Sequence, residues 1–143
     1  MKIPKREEGQ GLVEYALLLV LVAIVIIAIL TILGSQVMVV FARVIGGLNG
    51  QVITGQGTEA VITGADVTVT GTTSCTATIK DISFVGLQDG AVLENGTVEL
   101  AIQANGSTAR TVSGSTGANG MGSLSGPYSV SGNCPLTVKI ISN

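Results

Sequence analysis

Few side chains in this 143-residue chain could carry chemistry: it has no histidine, and its charged residues are 7 Lys or Arg and 9 Asp or Glu. A nucleophile–base pair would need Lys80, Lys139 or a carboxylate as its base, and none of these stands in a recognisable catalytic pattern. Asp81, Asp89 and Glu94 offer oxygen ligands without the dense spacing of a calcium loop. Two cysteines with no CxxC and no further thiol do not make a metal or redox centre. The expectation is a chain that is not an enzyme and uses no cofactor or metal. With a net charge of −2 and no basic patch interleaved with aromatics, nucleic acid is excluded as a primary partner.

Two constellations remain. Cys75 shares strand parity with Ala77 and Ile79, and Cys134 shares it with Leu136, Val138 and Ile140, so both thiols face the presumed apolar side. A bridge closing a loop of about 60 residues would contribute on the order of 4 kcal/mol in the chain-entropy model. Two unlinked buried thiols are the alternative. The other constellation is Glu14, a lone carboxylate at the mouth of a long uncharged run. From Tyr15 to Ala42, 28 residues pass without Asp, Glu, Lys or Arg, and roughly 20 apolar residues suffice to cross a bilayer.

The elements that must position these residues follow from the composition along the chain. Residues 1–9, "MKIPKREEG", are polar and begin basic; 10–46 should be one apolar helix, since backbone polar groups in lipid are satisfied only within the segment. Residues 47–50 form a Gly-rich linker, with Gly46-Gly47 expected to cap the helix and give a flexible exit. Residues 51–143 are rich in Gly, Ser, Thr and Asn and belong to a second kind of structure. Lys2, Lys5 and Arg6 favour a cytoplasmic N-terminus, which puts everything after Arg43 outside. A secretory signal has a shorter apolar region of about 7–15 residues and an A-x-A-like cut, which this run lacks. A plain anchor helix is the stronger rival. Yet Leu12 to Ile45 would be roughly 51 Å long, against about 30 Å of hydrocarbon. Such a helix needs a second apolar home, such as a bundle of identical helices. Gly34-Ser35-Gln36 is a polar dent expected near the outer headgroups.

The order Gly9, Gln10, then Glu14-Tyr15 followed by "ALLLVLVAIVIIAILTILG", with "LGSQVMVVFARV" further on, resembles the Flp-type (Tad) pilins of the type IV pilin-like family. The resemblance covers about Glu7 to Val44. It implies a leader cut between Gly9 and Gln10 by a prepilin peptidase, which makes Glu14 the fifth and Tyr15 the sixth residue of the mature chain. It also implies an inner-membrane assembly machinery as partner, membrane insertion before assembly, and a homo-oligomeric helical filament on the cell surface that serves adhesion. Flp pilins are little more than this helix, whereas this chain continues for 94 residues from Gly50.

The physical reading supplies a mechanism beside the resemblance. A cut after Gly9 removes five charged residues and creates an α-amine four positions before Glu14. A carboxylate buried alone in an apolar bundle is strongly unfavourable, and one paired with a cationic amine is tolerable. Glu14 is therefore expected to set helix register in a filament core, with Tyr15 packing beside it. A singly displayed, membrane-anchored β-domain that binds a ligand, and a minor pilin or pseudopilin of a secretion system, are the alternatives.

Beyond Gly50 the pattern is β. Val67–Thr70, Val98–Ile102 and Leu136–Ile140 alternate at period two, and Asp89-Gly90, Asn95-Gly96 and Asn105-Gly106 are turn pairs. Together with the helix this predicts an α+β chain whose domain is a small antiparallel β-sandwich. The near-repeats Val52-Ile53-Thr54-Gly55 and Val61-Ile62-Thr63-Gly64 are expected to be two early strands. Asn105 to Gly126 holds six glycines, eight Ser or Thr and one charge, which predicts an exposed loop or a weak hairpin. Asn95-Gly96-Thr97 and Asn105-Gly106-Ser107 fit the N-glycosylation pattern, and hydroxyl-linked sugars on the loop fit equally well.

Overall fold

The computed structural model describes residues 8–143, with side chains described from Gly11 onward. Most of the expected leader, Met1–Gly9, therefore lies outside the described residues. Helix α1 runs from Glu8 to Leu48 and is followed only by antiparallel strands: β1 Thr58–Thr70, β2 Ser74–Gln88, β3 Ala91–Val92, β4 Thr97–Ala104, β5 Ser107–Ser115, β6 Met121–Asn133 and β7 Val138–Ser142. The chain is thus α+β, a long N-terminal helix and a small sheet domain. It separates into two compact units at Gly34/Ser35, so the last third of α1 belongs to the β-domain.

In the second unit β2 is the organising strand. It pairs with β1 along one edge and with β6, then briefly β3, along the other. A second sheet has the order β5-β4-β7. The inner faces meet in a core of Ile62, Ile79, Ile82, Phe84, Leu100, Ile102 and Val130. Strand β2 is irregular opposite both neighbours between Ile79 and Ile82. That irregularity moves the inward-facing set from Cys75, Ala77 and Ile79 to Ile82 and Phe84, and a bulge is the device that shifts parity within one strand.

Past Phe84 the alternation stops, and Phe84, Val85, Gly86 and Leu87 are all buried. Both faces of β2 are covered there. Val85 and Leu87 point away from the sandwich and pack, with Val61 of β1, against Val39 and Ala42 of α1. Gly46 continues the same helix face at the next turn, and a Cβ there would lie 3.2 Å from Val61 and closer still to Ile53. The Val39, Ala42, Gly46 spacing is thus the docking face of the helix.

The helix end differs from expectation. Gly46 and Gly47 are helical, and the left-handed position is Gly50, at φ 67°. Gln51 N–H donates to Gly46 C=O at 2.8 Å and Gly50 N–H to Gly47 C=O at 3.2 Å, the paired bonds of a Schellman cap. The exit is pinned rather than free: Asn49 Nδ2 donates to Ile62 C=O at 3.1 Å, and Gln51 Oε1 accepts from Ile62 N–H at 3.0 Å. Both side chains satisfy the outer edge of β1.

Two further expectations are corrected. Val52-Ile53-Thr54-Gly55 is not a strand; only its near-repeat lies in one, within β1. Asn105–Gly126 is neither a loop nor a hairpin of its own. It supplies β5, paired to β4, and the first half of β6, paired to β2, so its backbone bonds go to two different sheets.

Candidate functional site

The first unit carries the sequence-predicted assembly residues. Glu14 and Tyr15 lie on α1 with their side chains exposed. The backbones of Gly9 and Gln10 are helical, so positions 10 and 14 stand one turn apart on one face, although the side chain of Gln10 is outside the described residues. From Leu12 to Leu33 the large apolar residues are 47–74% exposed, on every side of the helix. Between Gly11 and Leu48 the helix is long and apolar enough to cross a membrane. Within the apolar run Thr31 carries a hydroxyl, which is satisfied by donating to Ile27 C=O at 2.8 Å.

In the second unit Cys75 and Cys134 form a disulfide, with Cα atoms 5.2 Å apart. Cys75 is buried on β2, and Cys134 lies in the bend that leads from β6 to β7. The bridge ties the start of β2, the central strand of one sheet, to the approach of the last strand of the other. Disulfides persist in oxidising surroundings outside the cytoplasm.

Several of the remaining polar residues act as structural clamps, and others are exposed. Among the described residues no three Asp, Glu, Cys or His side chains gather. Asp89 accepts from Gly57 N–H at 2.9 Å, while Asp81 and Glu94 are exposed on the bulge of β2 and in the turn before β4. Lys80 and Lys139 are exposed on β2 and β7.

Sequence reasoning missed Glu59 and undervalued Arg43. The Glu59 carboxylate accepts from Thr54 N–H at 2.8 Å, from the Thr54 hydroxyl, and from Gly55 N–H at 3.0 Å. Burial pushes its carboxyl up, but the Thr54 hydroxyl, the two backbone N–H groups and the charge of Arg43 outweigh this and hold it below its ordinary value of 4.5. Arg43, on α1, donates to Gly90 C=O at 3.5 Å, so it reaches the β2–β3 turn from the helix. Glu59 at Thr54 and Gly55, and Asp89 at Gly57, fasten the segment between helix and β1, with Ile53 held against the docking face. A carboxylate five residues after a Thr-Gly pair was the available signal for Glu59.

Thr116 is the buried polar residue among the described ones, at 5% exposure. Its hydroxyl donates to Leu93 C=O at 2.6 Å and accepts from Gly96 N–H at 3.0 Å, which fixes the turn before β4. Gly86 makes room for it: a Cβ there would lie 2.7 Å from the Thr116 methyl.

Compared with family models, with curated proteins and with solved structures, the chain matches none.

Proposed function

We propose that the chain is the major structural subunit of an extracellular Flp-like pilus, made as a membrane-inserted precursor and cut after Gly9. The carrying observation is α1 itself: apolar on every side from Leu12 to Leu33, without a described partner on any face, and welded at its far end to a disulfide-stapled β-domain. At about 1.5 Å per residue the stretch from Leu12 to Leu33 is roughly 33 Å long, about one hydrocarbon thickness. Lipid can satisfy that surface in the precursor, and neighbouring helices can satisfy it in a filament. Position 10 one turn before Glu14 supports the pairing of a new α-amine with that carboxylate, the subunit's own or its neighbour's. In the filament the helices form the core and the domains form the polar exterior that meets other surfaces.

Glu14→Ala tests this reading in cells that express the chain with its assembly machinery. The variant should be processed and remain in the membrane, with few filaments seen by electron microscopy or recovered by shearing. Normal filament yield would defeat it.

A further inference from the structure

The two N-glycosylation patterns are equivalent as sequences and different as structures. Asn105, at φ 50°, and Gly106, at φ 81°, form the two-residue turn between β4 and β5. The Asn105 side chain is exposed, but both its amide nitrogen and its oxygen are hydrogen-bonded. Its Nδ2 donates to Asn133 C=O at 3.2 Å, and its Oδ1 accepts from Thr137 N–H at 3.0 Å and from the Thr137 hydroxyl at 3.3 Å. Its own N–H donates to Thr137 C=O at 2.9 Å. Gly132 lies beside that amide, since a Cβ there would sit 3.2 Å from the nitrogen. Asn105 is thus the clamp on the segment that follows the disulfide.

Asn95 is held only by its backbone. Its N–H donates to Gly117 C=O at 3.1 Å, and the next residue, Gly96, is fixed by the buried Thr116 hydroxyl. The Asn95 side chain is exposed and makes no hydrogen bond among the described residues, and Thr97, the hydroxyl residue of the pattern, is exposed at the first position of β4. A rigid turn therefore presents a free amide at its tip, with the required hydroxyl two residues on. A loop tip of this kind is where modifying enzymes gain access.

We infer that Asn95 is an attachment site for an N-linked glycan and that Asn105 is not. The donor class is a polyprenyl (pyro)phosphate-linked sugar. Asn95 Nδ2 attacks the anomeric carbon, the new C–N bond replaces the C–O bond to phosphate, the lipid phosphate leaves with the electron pair, and the amide proton passes to a base of the transferase. The inference needs only an exterior domain and stands apart from filament assembly.

The test is peptide mass spectrometry of the full chain purified from its own host, beside Asn95→Gln, Thr97→Ala and Asn105→Gln. Thr97→Ala keeps the Asn95 side chain in place, and an unchanged melting curve would show that its domain is intact. Sugar mass is expected on the Asn95 peptide, lost in the first two variants and retained in Asn105→Gln. An unmodified Asn95 in the host-purified protein would overturn the inference, as would sugar on Asn105, alone or with Asn95.

Discussion

The ring of Phe84 occupies the space that a side chain at Gly122 would need. A Cβ on Gly122 would run into the ring, and one on Gly114 would lie 2.6 Å from its Cζ. Gly114 is on β5 and Gly122 on β6, so the two glycines wall the single aromatic buried in the core from two sheets. Gly114→Ala and Gly122→Ala should each destabilise the domain by about 1–3 kcal/mol, the usual cost of overpacking. Gly47→Ala, which meets nothing within 4 Å, should be neutral or stabilise by up to about 1 kcal/mol. Denaturant unfolding of the full chain in detergent reads the difference.

The disulfide closes a separation of 59 residues in a domain whose core is aliphatic apart from Phe84. Replacing both cysteines by Ala should lower stability by about 4 kcal/mol. Reductant should then shift the unfolding midpoint of the parent chain and leave the variant's unmoved.

Glu59 gives the domain a defined pH dependence. Its folded pKa lies below the ordinary value of 4.5, so its contribution is complete above that pH and is lost as pH falls through the lower, folded value. Stability should therefore decline on acidification below about 4.5, and Glu59→Gln should flatten that part of the profile. At neutral pH the same variant should cost about 1 kcal/mol, because the Thr54 and Gly55 donors lose a charged acceptor that water partly replaces. Thermal melts across pH 3–7 (about this range) separate the two effects.

How far the sequence could be read depended on whether a residue's role is local. The Asp89-Gly90 and Asn105-Gly106 turns, the alternating strands and the inward parity of Cys75 were legible because each rests on neighbouring residues, whereas the turn at Asn95 is also held by the distant Gly117 and Thr116. The Gly- and Ser-rich stretch from Asn105 to Gly126 was not. Two of its six glycines, Gly114 and Gly122, admit Phe84, a contact between residues 30 or more positions apart, and its strands pair with β4 and β2 rather than with each other. The buried run Phe84 to Leu87 was a visible hint that β2 is covered on both faces. The cover, Val39 and Ala42, sat within a segment read wholly as membrane and filament helix. At the N-terminus the proposed function rests on the spacing of Gly9, Gln10, Glu14 and Tyr15, and in α1 positions 10 and 14 stand one turn apart, as in any helix.

The central claim is that a cut after Gly9 turns a membrane precursor into a filament subunit. Its most direct measurement is the N-terminal mass of the chain in material sheared from cells. A chain that begins at Gln10 and is abundant in the sheared fraction is the expected result. An intact Met1 confined to the membrane fraction would contradict the claim and leave α1 as an anchor.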